Sequence, residues 1–181
     1  MRPLFLMPAV VVILSTCAPI SEEACRGGDW RGIGASDGAR GLPTSTVGKY
    51  AETCAEFGVT PDLVAYQAGR SIGLQTYCTP SKAYSEGRNG RRIKPVCSAD
   101  AELTMTPAHR FGLRYFDISE DMDRIRDRID TREQLLASQF TGTLTQAQEI
   151  EAASIRAEIR GLDSDLFRLR IQRRRYDRWP P

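Results

Sequence analysis

The chain has 181 residues, a formal net charge of +2, 27% charged residues and 41% hydrophobic residues. This composition suits a folded domain rather than a disordered tail, and the balance of charges provides no overall field that would attract nucleic acid. Past the first sixteen residues no apolar run approaches membrane-spanning length, so we expect one compact domain, or a small domain with an extension, and no nucleic-acid partner.

Residues 1–16 predict a secretory signal peptide. A basic start precedes an almost wholly apolar run from Leu4 to Leu14, which is too short to cross a bilayer. The run ends in Leu14-Ser15-Thr16-Cys17, which resembles the lipobox of bacterial lipoproteins, whose cysteine is lipidated and becomes the mature N-terminus. Thr16 is branched where a lipobox usually has Gly, Ala or Ser, so ordinary signal-peptidase cleavage nearby is the alternative. We expect Cys17 to anchor the chain to the outer membrane, facing the periplasm, because no Asp follows it.

The other four cysteines all lie in the first half of the chain, at positions 25, 54, 78 and 97. An even number in an exported chain predicts two disulfides, for which three pairings exist. The spacings are too wide for the tight pairs that bind zinc, and we expect no metal and no cofactor. If the first two helices are antiparallel, the pairing Cys25–Cys54 with Cys78–Cys97 is favoured.

Residues 17–106 predict a Cys/Gly-rich helical domain. Short helices are expected at about 28–40, 45–57 and 61–76. Thr60-Pro61-Asp62 supplies a cap and a proline for the third helix, and Gly58 is a suitable stop before it. Residues 79–100, with several prolines and glycines, predict a loop with at most a turn of helix or a short hairpin.

A pattern of one aromatic residue followed by glycines about one helical turn apart occurs three times, and its aromatic residues are Trp30, Tyr66 and Tyr84. Each glycine costs a helix about 1 kcal/mol relative to alanine, so the pattern favours close backbone approach between small helices. A ligand-binding glycine loop is the alternative. For that alternative the candidate binding residues are Trp30, Asp37, Tyr66, Arg70 and Tyr84.

Residues 107–181 predict an antiparallel two-helix coiled-coil hairpin, which makes the whole fold all-α. Apolar residues recur at alternating three and four spacing from Ile118 to Leu136 and again from Ile155 to Tyr176. Thr141-Gly142-Thr143 breaks the helix, and Thr145 with Gln148 predicts a capping box. With the turn near Gly142, Ile118 should face Phe167, and Ile125 should face Ile159.

The start of the first predicted hairpin helix is acidic and the end of the second is basic, and an antiparallel hairpin should place these two ends side by side. Four acidic residues begin the first helix: Asp117, Glu120, Asp121 and Asp123. Six arginines end the second: Arg168, Arg170, Arg173, Arg174, Arg175 and Arg178. We expect these blocks to pair with each other and to choose the register of the hairpin. An external anionic partner, such as lipopolysaccharide, anionic phospholipid or an acidic protein, is the alternative.

No motif for catalysis is present. The single histidine, His109, lies in a polar stretch between the halves, and there is no Walker loop, zinc-protease motif or serine-hydrolase motif. Asp29, Asp37 and Asp62 could in principle pair as glycosidase carboxylates, but turn and cap roles explain Asp37 and Asp62. We therefore expect that the protein is not an enzyme and has no catalytic residues.

The first half resembles a bacterial lipoprotein family known as domain of unknown function 2799. The resemblance is carried by Cys25, Asp29-Trp30, Ile33-Gly34, Asp37-Gly38, Gly41, Cys54, Gly58, Pro61-Asp62, Tyr66-Gln67-Ala68-Gly69-Arg70, Gly73-Leu74, Tyr77-Cys78, Gly87, Gly90 and Val96-Cys97. It covers the chain up to about Cys97 and implies an exported lipoprotein with no assigned activity. We expect a structural or interaction module whose hairpin engages an envelope protein. A periplasmic binding module for a small or glycan ligand is the alternative.

Overall fold

The computed structural model describes residues 19–180, which form seven α-helices and no strand. In chain order they are α1 Glu22–Gly27, α2 Trp30–Ala39, α3 Thr46–Ala55, α4 Leu63–Tyr77, α5 Pro80–Arg88, α6 Ala99–Gln139 and α7 Gln146–Arg174. The predicted all-α fold, with a disulfide-braced part followed by a helical hairpin, is confirmed. The predicted signal peptide and the predicted lipid attachment at Cys17 lie outside the described residues.

Both disulfides form with the favoured pairing. Cys25 on α1 is bonded to Cys54 on α3, with their Cα atoms 5.5 Å apart. Cys78 is bonded to Cys97, with a Cα separation of 5.6 Å, and so closes the segment that contains α5. The first disulfide is fully buried in the core of α1 to α4, and the second borders a smaller cluster under α5 and α6.

Local capping signals set the helix ends, with one correction. The helix predicted to start at Pro61 begins at Leu63, because the side chain of Asp62 rather than Thr60 caps it, accepting from the amides of Val64 and Ala65 at 2.9 Å. The predicted capping box of Thr145 and Gln148 is present at the start of α7. Gly58 adopts the left-handed conformation, with φ +69°, after α3.

The prediction of a loop for residues 79–100 is wrong at its beginning. Residues 80–88 form the helix α5, which starts with Pro80 and is capped by the hydroxyl of Thr79, 3.2 Å from the Lys82 amide. Gly87 is a poor helix residue in isolation, yet here a Cβ atom would lie 2.3 Å from the carbonyl oxygen of His109 on α6. Tertiary packing therefore overrides propensity in α5.

The long helix α6 begins well before the predicted boundary between residues 106 and 107. The hydroxyl of Ser98 caps it, and the helix continues through Pro107 to Gln139. Pro107 removes one amide, whose partner would be the carbonyl of Leu103, and both residues are exposed, so water can satisfy that carbonyl. The boundary that the change in composition predicted between residues 106 and 107 therefore falls inside the helix α6.

Glycines let α2 and α4 approach each other in parallel. A Cβ atom on Gly34 would lie 2.1 Å from the Tyr66 carbonyl oxygen, and one on Gly38 would lie 2.2 Å from that of Arg70. From the other side, Cβ atoms on Gly69 and Gly73 would meet the backbone of α2 at 1.9 and 2.0 Å. The contacts advance in the same direction along both helices. The close-packing interpretation of the aromatic and glycine pattern is therefore confirmed.

The hairpin of α6 and α7 has an apolar seam, though its register differs from the prediction. Five buried side chains form it: Ile118, Met122, Ile129, Leu162 and Leu166. Ile125 and Ile159 both pack against this cluster. The facing of Ile118 and Phe167 is wrong, because Leu166 occupies the seam and Phe167 is 62% exposed.

Candidate functional site

A buried carboxylate lies where α2, α3 and α4 meet. The side chain of Asp37 is completely buried and accepts hydrogen bonds from the hydroxyls of Tyr66 at 2.8 Å and Tyr50 at 3.2 Å. The guanidinium of Arg40, which is itself largely exposed, lies 2.5 Å from the same carboxylate. No buried side-chain polar atom among residues 19–180 lacks a partner. Three donors thus satisfy the charge of Asp37, as a buried charge requires.

The environment of Asp37 raises the pKa of both tyrosines. Burial, followed by the hydrogen bond to Asp37, raises the pKa of Tyr66 well above its ordinary value. The same two causes in the same order raise the pKa of Tyr50. Both phenols therefore remain protonated donors at neutral pH, and neither can act as a base toward a ligand.

An open groove of about 470 Å³ lies beside this network. Its walls come from the segment Pro19–Ser21 and from one side of α2, including Asp29, Ser36 and Arg40. Asp29 is already engaged, because its carboxylate caps α2 through the amide of Gly32 at 2.8 Å. The groove thus offers the exposed part of the Arg40 guanidinium, which is paired with Asp37, and a hydroxyl beside an apolar wall, and it brings no pair of free carboxylates together.

The residues predicted as a binding set are divided by the fold. Trp30 is 4% exposed and belongs with Tyr66 to the main core, so neither ring is available to a ligand. Arg70 donates two hydrogen bonds, at 3.0 and 2.8 Å, to the carbonyl of Leu42 after α2. Together with Asp37 these residues surround and brace the α2–α4 contact, and of this set only Asp37 borders the groove.

Tyr84 lies apart from that set and fastens the C-terminal segment. Its hydroxyl donates to the carbonyl of Tyr176 at 2.7 Å. One helical turn later, Arg88 donates to the carbonyl of Asp177 at 2.7 Å and to its carboxylate at 3.1 Å. The ring of Phe111 on α6 completes the contact, with its centroid 5.4 Å from that of Trp179. The end of the chain is therefore held against α5 and α6.

Arg88 is a residue whose role the sequence analysis missed. Its guanidinium carbon lies 3.8 Å from the centroid of the Tyr115 ring, and that of Arg173 lies 5.1 Å from the same ring. The tyrosine thus joins α5, α6 and α7 through cation–π contacts. The equal spacing of Tyr66 with Arg70 and of Tyr84 with Arg88 distinguishes Arg88 in the sequence, although it does not indicate the partners of Arg88.

The predicted pairing between the acidic and basic ends of the hairpin is wrong. Asp121 and Asp123 each pair with an arginine on their own helix, three residues later. The ion pairs that cross between α6 and α7 lie elsewhere: Glu158 contacts Arg128 at 3.2 Å and Arg132 at 2.9 Å. Five of the six terminal arginines have no carboxylate within 4.0 Å in the part of the chain that the structure describes: Arg173, which is half-buried against Tyr115, and the exposed Arg170, Arg174, Arg175 and Arg178.

The remaining titratable residues have structural roles. His109 lies within α6, and its Nε2 donates to the carbonyl of Arg91 at 2.7 Å. Glu86 is largely buried and pairs with Lys82 at 2.8 Å and Arg91 at 2.7 Å. Burial alone would raise the pKa of Glu86, but the hydrogen bonds from these two cations lower it below its ordinary value. Residues 19–180 contain no cluster of potential metal ligands, and none of their helices could span a membrane.

Residues 29–114 match the family model described as a protein of unknown function, DUF2799. This part of the chain belongs to that family. The DUF2799 match begins after Cys25 and extends beyond the predicted limit at Cys97 to include the part of α6 that packs on α5. The family region therefore contains both glycine-packed helix pairs, and the hairpin is largely an extension to it. No curated protein and no solved structure gives a significant match to the chain.

Proposed function

We propose that this DUF2799 protein is an exported lipoprotein, anchored through Cys17 to the outer membrane and facing the periplasm. The observation that carries the proposal is how the five cysteines are divided between disulfides and the end of the leader. Four of the five pair in two disulfides of ordinary Cα separation, as in proteins of oxidising compartments, and Cys17 follows the leader. Cys17 is therefore the one cysteine of the sequence outside these two disulfides, and it stands where a lipobox has its lipidated residue.

The role that we propose for the folded part is a structural or interaction module and not an enzyme. The three carboxylates that could have formed a hydrolytic pair are each engaged: Asp29 and Asp62 cap helices, and Asp37 lies beneath two tyrosines. The hairpin is the part that engages the envelope, since Arg170, Arg174, Arg175 and Arg178 are exposed and none of them lies within 4.0 Å of a carboxylate in residues 19–180.

Metabolic labelling with an alkyne fatty acid tests the anchor. We expect the wild-type chain to incorporate the label and the Cys17→Ser variant to lose it. An inhibitor of the lipoprotein signal peptidase should make the wild-type chain migrate as a larger precursor. The matched control is a variant in which Cys78 and Cys97 are both replaced by Ser, which should keep the label. Equal labelling of the Cys17→Ser chain would refute lipidation at this position.

The groove beside α2 supports a second candidate, a binding module for a small or glycan ligand. Its size of about 470 Å³ and the exposed Arg40 are the observations in its favour. A thermal shift with muropeptides or oligosaccharides, lost in Arg40→Ala and kept in Arg31→Ala, would support this role. Arg31 is the matched control because it lies on the same helix, is exposed and has no ion pair among the described residues.

A further inference from the structure

We propose that the C-terminal end of α7 binds the phosphate groups of anionic phospholipids at a bilayer surface. The surface, which we name the terminal arginine face, consists of Phe167, Arg170, Ile171, Arg174, Arg175 and Arg178. The inference deepens the proposed function by naming the envelope component that the hairpin engages. It does not depend on the lipid anchor, and its test can be separated from that of Cys17.

The first argument is unneutralised charge. All four arginines of the terminal arginine face are exposed, and none lies within 4.0 Å of a carboxylate in residues 19–180. Arg174, Arg175 and Arg178 surround a groove of about 390 Å³ that also includes Asp177. Asp177 is the acidic residue of this groove, and its carboxylate is held by Arg88 at 3.1 Å. Guanidinium groups bind phosphate oxygens bidentately, and here they are free to do so.

The second argument is that the segment is held in place. Tyr84 and Arg88 bind the carbonyl oxygens of Tyr176 and Asp177, each at 2.7 Å. The Phe111 ring contacts Tyr176 and Trp179, with centroid distances of 4.9 and 5.4 Å. Residues on α5 and α6 thus fix the backbone from which the arginines extend. The entropy of ordering this segment is lost during folding and not on binding, which favours affinity.

The third argument distinguishes a bilayer from an acidic protein. Phe167 is 62% exposed and Ile171 is 47% exposed, and they lie one helical turn apart on α7. Arg174 follows Ile171 by three residues and Phe167 by seven, so all three share one side of the helix. An interfacial helix uses such a combination, since its apolar side chains enter the region below the headgroups while its cations bind the phosphates. Charge alone would suffice for an acidic protein.

Vesicle binding tests the inference. The protein is residues 17–181 with Cys17→Ser, which retains every described residue and both disulfides. We expect it to float with phosphatidylcholine vesicles that contain phosphatidylglycerol and not with pure phosphatidylcholine vesicles. Each arginine near an anionic surface contributes about fivefold in affinity, so a triple change of Arg174, Arg175 and Arg178 to Gln should weaken binding about a hundredfold. Binding should also fall with added salt.

Two further variants make the result decisive. A triple change of Arg31, Arg156 and Arg160 to Gln removes the same charge from exposed positions away from the terminal arginine face, and it should change affinity less than threefold. Phe167→Gln with Ile171→Gln should weaken vesicle binding at least fivefold and leave binding to soluble polyglutamate unchanged. Equal losses for both arginine triples, or no loss for the apolar pair, would overturn the inference. Tighter binding to polyglutamate than to vesicles would indicate an acidic protein instead.

Discussion

Replacing Gly69 by alanine should drive α2 and α4 apart. The added Cβ atom would lie 1.9 Å from the carbonyl oxygen of Arg31 and 2.7 Å from its carbonyl carbon. Close C···O contacts in proteins are about 3.3–3.6 Å, so relief requires a displacement of about 1.5 Å. Both atoms belong to the backbone of α2, so no change of rotamer can provide that displacement.

The change in the free energy of unfolding is the difference between two opposing effects, helix propensity and overpacking. Alanine is intrinsically better than glycine in a helix by about 1 kcal/mol. Overpacking a well-packed interior costs about 1–3 kcal/mol and occasionally more. The larger value applies here, because separating the helices also strains the 2.8 Å bond between Tyr66 and Asp37. We therefore expect Gly69→Ala to lower the free energy of unfolding by a net amount of about 2 kcal/mol.

Urea denaturation with both disulfides intact, followed by far-ultraviolet circular dichroism, measures this change. A loss of about 2 kcal/mol corresponds to a fall of about 1 M in the midpoint. Gly48→Ala in α3 and Gly161→Ala in α7 are matched controls, since a Cβ atom at either position meets nothing within 4 Å. Both should raise stability by up to about 1 kcal/mol. If Gly69→Ala behaved like these controls, close helix approach would not be the reason for the glycine.

Four further predictions concern Asp37, Tyr66, Glu86 and the contact of Arg88 with the C-terminal segment. Asp37→Asn should lower the free energy of unfolding by about 2–4 kcal/mol, because hydrogen bonds to a charged group are lost, and urea denaturation measures it. Since folding raises the pKa of Tyr66, stability should fall as the pH rises above about 10, and a spectrophotometric titration should show phenols that resist ionisation until the protein unfolds. Folding lowers the pKa of Glu86, so the stability that it contributes is present above its unfolded pKa and is lost as the pH falls through the folded value. The difference between wild type and Glu86→Gln should therefore shrink below about pH 4. Arg88→Lys keeps the charge but loses the planar contact with Tyr115, and it should destabilise the protein by about 1–2 kcal/mol and speed amide exchange in residues 174–179.

Features encoded by nearby residues could be predicted from the sequence. The capping box of Thr145 and Gln148 needs groups only three residues apart, and the turn at Gly58 needs only the residue itself. The pairing of Cys25 with Cys54 followed from expecting two short antiparallel helices, although the structure places Cys25 on the separate helix α1. Local chemistry was sufficient for the cap and the turn, whereas the choice among three disulfide pairings rested on the assumed packing of the helices.

Features that depend on distant partners could not be predicted in the same way. Arg88 and Asp177 are 89 residues apart in the chain, and nothing near Arg88 indicates that contact. The predicted register of the hairpin was wrong for a related reason. The charge blocks suggested pairing between helix ends, whereas Asp121 and Asp123 bind arginines on their own helix, and Glu158 makes the crossing pairs with Arg128 and Arg132. Local pairs compete successfully because residues three apart on one helix are already held close together by that helix.

The two occurrences of Tyr-x-x-Gly-Arg show how far a local pattern determines structure. In each, the glycine packs on the backbone of another helix: Gly69 on α2 and Gly87 on α6. The arginine after it then binds the backbone of a segment that follows an α-helix. Arg70 holds the carbonyl of Leu42 after α2, whereas Arg88 holds that of Asp177 after α7. The pattern thus specifies a close helix pair and an arginine that fastens a chain segment. Which segment it fastens depends on the fold, and at Arg88 that segment carries the terminal arginine face.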